Sequence, residues 1–226
     1  FGYTPMYIQT TSYDYDAQIS ETGRLTDKWR ACKRVALFAQ SFKHILLRGE
    51  HRRDVKATEG LRVTETATKE RGAIVWVDNP DKEQTVTGSV FPAIQEVTLK
   101  PRELFAYVHN APIGYAPAGY LSGYAGLVKS DAHVLCAHVL PDPHDGIRVF
   151  VYGEPGETRE VVLWSGNERS KGTQVVFTDA PQVYTSGLSQ IIALPTHLAG
   201  RTFIDPDNEN APVLFGPHDV REQGEE

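Results

Sequence analysis

Two tyrosines and two aspartates stand at consecutive positions, Tyr13, Asp14, Tyr15 and Asp16, inside the stretch from Thr11 to Gly23. A sugar site needs residues of these types at one place. An aromatic face covers the apolar C–H side of a pyranose, while phenol and carboxylate oxygens reach its hydroxyls. If Ser12 to Asp16 is extended, the two-residue period puts Tyr13 and Tyr15 on one face and Asp14 and Asp16 on the other. The same residues also suit a polar turn before a helix, with the tyrosines only packing. A lone D-x-D does not make a catalytic pair, so the residues alone leave both readings open.

Other chemistries find less in the chain. His133, Cys136 and His138, followed by His144, lack the paired spacing of a structural zinc site. On a strand Cys136 and His138 point one way and His133 the other. There is no glycine-rich phosphate loop, no G-x-S-x-G elbow and no H-E-x-x-H. Cys32 falls on an apolar helical stripe and reads as core, and two cysteines in 226 residues make no disulfide framework. The formal net charge of −6 gives no footing to counterion-release binding of nucleic acid. The one basic run, Arg48 to Lys56, carries Glu50 and Asp54 among its cations and reads as a solvated face. No apolar run approaches the ~18 residues of a membrane span.

The elements that must position the tyrosine–aspartate cluster follow it directly. Thr26 is a good N-cap, Asp27 suits the positive end of a helix dipole, and Trp29, Cys32, Val35, Ala36, Ala39 and Phe42 recur at helical spacing. This predicts a helix over about 27–43. Beyond His44 the period changes to two. Strands are expected at Leu61–Thr66, Ala73–Asp78, Gln84–Phe91, Ile94–Leu99, Leu104–His109, Ala132–Leu140, Ile147–Tyr152, Glu160–Trp164, Thr173–Thr178, Leu188–Leu194 and Val213–Phe215. Asn79-Pro80-Asp81 reads as a hairpin connection, and Glu154-Pro155-Gly156-Glu157 as a type II turn, in which glycine supplies φ > 0. Short strands at this spacing argue for an antiparallel β-sandwich.

Between Ala111 and Gly126, Tyr115, Tyr120 and Tyr124 alternate with glycines. Such a stretch can be a long connection packed by its own tyrosines or an exposed aromatic platform for sugar. The acidic end, Val220 to Glu226, has the composition of a disordered tail. The chain opens on Phe1 with no charged-then-apolar leader, so it reads as a processed product or a piece of a longer protein, and its start specifies no compartment.

Thr11-Ser12-Tyr13-Asp14-Tyr15-Asp16-Ala17, Ile19-Ser20-Glu21, Gly23 and Thr26-Asp27-Lys28 together resemble the end of the catalytic barrel in β-galactosidases of glycoside hydrolase family 35. Phe1-Gly2-Tyr3 is similar to the element preceding that stretch. Gly72 to Pro80 resembles the family's post-barrel strand and turn, and Val149 to Glu157 its V-L-Y-G-x-P-G-E hairpin. Gln18 stands where the family usually has proline, which makes the turn after Asp16 less rigid.

The resemblance implies a mainly β chain. Residues 1–43 would be the last βα unit of a (β/α)8 barrel, and residues 44–226 an antiparallel β-sandwich domain with its tail at 220–226. It implies a retaining enzyme that removes terminal β-galactosyl residues with two glutamates, no cofactor and no metal. Tyr15 would contact the terminal galactose with Tyr13 beside it, and Asp14 and Asp16 would fix the loop behind them. None of the glutamates here matches the family's catalytic pair, so the chain alone would be inactive. Its partners would be a β-galactoside oligosaccharide or polysaccharide and the missing N-terminal barrel residues of the same protein, not nucleic acid or membrane. The alternative is that residues 44–226 form a non-catalytic carbohydrate-binding or structural β-sandwich module.

Overall fold

Thr26 caps the first helix: its side-chain oxygen accepts a hydrogen bond from the Trp29 amide at 3.4 Å. The computed structural model describes residues 6–8, 11–13, 26–53, 55–113, 125–140, 146–165, 168–169, 171–204 and 213–215. In chain order these form β1 (Met6–Ile8), β2 (Thr11–Tyr13), α1 (Asp27–Ser41), α2 (Lys43–Arg48), β3 (Glu50–Arg52), β4 (Lys56–Ala57), β5 (Arg62–Ala67) and β6 (Ala73–Asp78). Then come β7 (Val86–Phe91), β8 (Ile94–Leu99), β9 (Leu104–Pro112), β10 (Gly126–Ser130), β11 (His133–Val139), β12 (Ile147–Gly153) and β13 (Thr158–Ser165). The last elements are β14 (Glu168–Arg169), β15 (Thr173–Val176), β16 (Gln182–Ser186), β17 (Ser189–Pro195), α3 (Thr196–Ala199), β18 (Thr202–Phe203) and β19 (Leu214–Phe215).

An eight-stranded antiparallel sheet runs β14-β13-β10-β9-β6-β5-β3, with β15 also on β13. A four-stranded sheet runs β11-β12-β17-β16 and a three-stranded one β4-β7-β8. The core explains the layering. Ile74, Val108, Leu127, Val161 and Leu163 of the large sheet meet Val134, Val149, Val151, Ile191 and Ala193 of the four-stranded sheet in one buried cluster. On the large sheet's other face, Val75, Val77, Phe105 and Tyr107 pack on Val90, Ile94 and Leu99 of the three-stranded sheet. Strand β6 is therefore covered on both faces, and so reads as an unbroken apolar run rather than an alternating one.

Helix α1 covers the outer face of the four-stranded sheet, where Leu37 joins Leu135, Cys136, Phe150, Ile192 and Leu194. Its end and α2 turn inward, and Phe38, Phe42 and Ile45 enter the core between the sheets. The Ser41 hydroxyl donates to the Leu37 carbonyl at 2.9 Å and accepts from the Ala137 amide at 2.9 Å, which ties the helix to β11. Lys33 ties it to the C-terminal region. Its ammonium donates to the Thr202 carbonyl at 2.7 Å and sits 3.7 Å from the Phe203 ring centroid. Burial, with the Arg30 guanidinium nearby, lowers Lys33 to about 8, whereas the carbonyl and the ring favour its charged form.

These observations correct three expectations. The (β/α)8 remnant is absent: β2 pairs antiparallel with β1, Met6 opposite Tyr13 and Ile8 opposite Thr11, and no sheet among the described residues closes into a barrel. A local antiparallel partner meets the backbone's hydrogen bonds here, where a barrel strand would take parallel neighbours on both sides. The β body is mixed rather than antiparallel, because β12 and β17 run parallel with Arg148 opposite Gln190 and Tyr152 opposite Leu194. Ile147, Val149, Phe150 and Val151 are fully buried, the pattern of a strand covered on both faces, and that pattern carries no information on partner direction. Finally, Asn79-Pro80-Asp81 is not a hairpin turn. It carries the chain from β6 in the large sheet to β7 in the three-stranded one. The turn at Glu154–Glu157 does form, with Gly156 at φ 91° and the Glu157 amide on the Glu154 carbonyl at 3.1 Å. It too crosses between sheets, from β12 to β13.

Candidate functional site

Tyr13 is the last residue of β2, placed by its pairing with Met6. Asp14, Tyr15 and Asp16 lie outside the described residues, as do Gln18, Tyr115, Tyr120, Tyr124, His144 and the 220–226 tail. Chemistry-bearing side chains among the described residues gather at three other places, all missed by the sequence reading.

The first joins the large sheet to β11. His133 Nε2 lies 3.4 Å from Glu103 Oε1, its ring stacks on Tyr152 at 5.0 Å and 14°, and Phe105 meets it edge-on at 4.9 Å. Arg34 of α1 lies over the Tyr152 ring at 5.8 Å. The hydrogen bond from His133 holds the Glu103 carboxyl below its usual range against the opposing effect of burial. Burial pushes the Tyr152 phenol up. A histidine–carboxylate pair can relay a proton, but ring contacts on both sides make this one a packed joint between layers.

The second lies on the large sheet. His109 Nε2 is buried without a hydrogen-bond partner, 3.7 Å from Glu65 Oε1, with the Tyr107 ring 5.9 Å away. Burial lowers the His109 imidazole, and Glu65 only partly offsets this. On β10, Lys129 pairs across to His109 and forms ion pairs with Glu160 and, at 3.5 Å, with Asp131. The Glu160 bond leads the upward shift of the Lys129 ammonium. The cation and its carboxylates are thus engaged with one another.

The third is a cleft of about 190 Å³ between α2, the turn joining β5 to β6, and the end of β9. Arg48 comes from the helix, Lys69 and Arg71 from the turn, and His44 lies buried beside them. The turn is fixed by Thr68, whose hydroxyl donates to the Arg71 carbonyl at 2.6 Å and accepts from the Arg71 amide at 3.2 Å. Burial, then Arg48, lowers the His44 imidazole. Arg71 lies over the Trp164 ring at 5.3 Å, and that ring covers Gly126, where any Cβ would collide with it.

The histidines and cysteine weighed as metal ligands are dispersed. His133 is in the joint above, Cys136 is buried in the cluster under α1, and His138 lies beside Phe150. Burial pushes the Cys136 thiol far up, so it stays protonated. Among the described residues no group of three or more His, Cys, Asp or Glu could hold a metal ion. No helix there is long and apolar enough to cross a membrane. No family model matches this chain, and no curated protein matches it either.

Proposed function

We propose that the chain is part of a β-galactoside-hydrolysing enzyme similar to those of glycoside hydrolase family 35. Its β layers would form a supporting body, and Tyr13 and Tyr15 one side of the galactose subsite, with Asp14 and Asp16 fixing the loop. The reaction would be retaining hydrolysis of terminal β-galactosyl residues. Such chemistry requires two carboxylates about 5–5.5 Å apart, one as nucleophile and one as acid/base. Those two glutamates would come from residues outside this chain, and the chain alone would not turn over.

One observation carries the reading: three motifs that resemble the family occur in its order, at Thr11 to Gly23, Gly72 to Pro80 and Val149 to Glu157. The first holds the types a galactose subsite uses, aromatic faces beside phenol and carboxylate oxygens. Lending support, the other two end in turns whose key residues have strict geometric jobs. Asn79 is fully buried and bonded to three carbonyls, and Gly156 occupies a conformation that disfavours side chains.

The test is made on the full-length protein encoded with the residues upstream of Phe1. Hydrolysis of an aryl β-galactoside is expected, and Tyr15→Phe should lower kcat/KM by about tenfold to a hundredfold. Absence of hydrolysis by the intact protein, or wild-type kinetics in the Tyr15→Phe variant, overturns the proposal.

A further inference from the structure

The cleft beside α2 concentrates positive charge on a chain whose net charge is −6. Arg48, Lys69 and Arg71 reach it from two separate elements; among the described residues the carboxylates beside them include Glu70 in the wall and Glu50, 3.3 Å from Lys69. The Lys69 and Glu50 side chains are 83% and 58% exposed, so their ion pair is weak and yields readily to a stronger acceptor.

Arg71 has a built position. Gly126 lacks the Cβ that would collide with Trp164, the indole therefore lies over the strand, and the guanidinium rests over that ring. A guanidinium held over an aromatic face loses less freedom when it binds a ligand. The Thr68 hydroxyl clamps the backbone of the same turn from both sides of Arg71, through its amide and its carbonyl. The cleft, at about 190 Å³, is smaller than the roughly 300 Å³ at which pockets begin to enclose whole drug-sized ligands, so it suits a single substituent.

We propose that this cleft is an oxyanion-binding site for a sulfate- or phosphate-type group, held by Arg48, Lys69 and Arg71. Cations converging from a helix and a turn match a tetrahedral oxyanion, whose oxygens point in several directions, better than a planar carboxylate that one arginine satisfies side-on. The group is either a free inorganic anion or an ester on a larger molecule such as a sulfated galactan. None of its lining residues belongs to the Thr11–Gly23 stretch, and the oxyanion assignment does not depend on the glycosidase reading; only the choice of a galactan as the ester's carrier rests on it.

Titration of the full chain with inorganic sulfate at constant ionic strength, followed by calorimetry and by the ring NMR signals of His44, tests this. Saturable binding that moves the His44 signals is expected. Arg71→Gln and Arg48→Gln, each checked for a native circular dichroism spectrum, should each weaken it about tenfold. Trp164→Leu should weaken it less, since it only positions Arg71. A monosulfated galacto-oligosaccharide binding more tightly than sulfate assigns the site to an ester, whereas equal affinity assigns it to the free ion. No saturable binding of sulfate or phosphate, or binding indifferent to both arginine variants, overturns the proposal.

Discussion

Asn79 shows how one side chain can hold two layers together. Its amide nitrogen donates to the carbonyls of Gln84, Leu99 and Lys100 at 2.9, 3.0 and 3.0 Å, and its carbonyl oxygen accepts from the Asp81 amide at 3.0 Å. The side chain is fully buried, and water cannot replace its bond to the buried Leu99 carbonyl. Asn79→Ala should destabilise the fold by about 1–3 kcal/mol, because the buried Leu99 carbonyl loses its partner together with the part-buried bonds to Gln84, Lys100 and Asp81. A urea midpoint shifted downward at unchanged slope is the expected record, and a midpoint equal to wild type would show the network to be dispensable. The Asn-Pro-Asp triplet marked the end of a strand, but the hairpin read from it is instead a crossing between sheets. That depends on acceptors some 20 residues away along the chain.

At the scale of elements, legibility followed locality. Ala73–Asp78 and Ile94–Leu99 form at the expected bounds, and the first helix starts at Asp27 under its Thr26 cap. Capping survives into the fold, but the expected stripe does not: Val35 is exposed and α1 buries Leu37 and Phe38 instead, and beyond His44 the chain stays helical to Arg48 rather than changing to a period of two. Other failures need partners distant in sequence: the parallel pairing of β12 with β17, the assignment of strands to three layers, and strands β10 and β16. Gly126–Ser130 begins inside a glycine- and tyrosine-rich stretch that read as a connection, and without it the Gly126–Trp164–Arg71 stack could not be foreseen. The sequence pointed to chemistry only where residue types crowd together, at Tyr13–Asp16, of which Tyr13 alone lies among the described residues. The oxyanion cleft is made of residues spread from Arg48 to Trp164 and has no sequence signature. A helix docked by long-range contacts permits a test. Ser41→Ala removes the acceptor of the Ala137 amide in β11 while leaving the apolar contacts of Leu37 and Phe38 in place. A loss of about 1–2 kcal/mol, with faster amide hydrogen exchange in α1, is expected. Unchanged exchange would show that apolar packing alone seats the helix.

Across the whole molecule, one buried and two half-buried histidines give stability a pH dependence of one sign. Burial lowers His138, with Arg148 beside it, from its ordinary 6.5 to about 4, and it lowers His109 and His44 as well. In each case the folded chain holds the imidazole neutral where the unfolded chain would protonate it. Between the two pKa values the unfolded state binds more protons, so stability falls as pH falls. Loss therefore starts as pH drops through about 6.5 and, for His138, is complete below about 4. The hydrogen bond from His133 depresses Glu103, and the backbone amides of Glu83 and Gln84 depress Asp81. A depressed carboxyl contributes stability above its unfolded pKa and loses it as pH falls through the folded value, so these two extend the same trend into stronger acid. The urea midpoint should accordingly decline steadily from pH 7 toward pH 4, while Lys33, lowered to about 8, governs the slope above that window. His138→Gln removes one proton from this balance, and should flatten the decline by about 1–3 kcal/mol between pH 7 and 4, whatever its effect at pH 8. Arg148 keeps its bond to Gln190, 3.0 Å from Nε, so the variant leaves that side of the strand intact. An unaltered slope in His138→Gln would place the acid sensitivity elsewhere, with His109 beside Glu65 the next residue to replace.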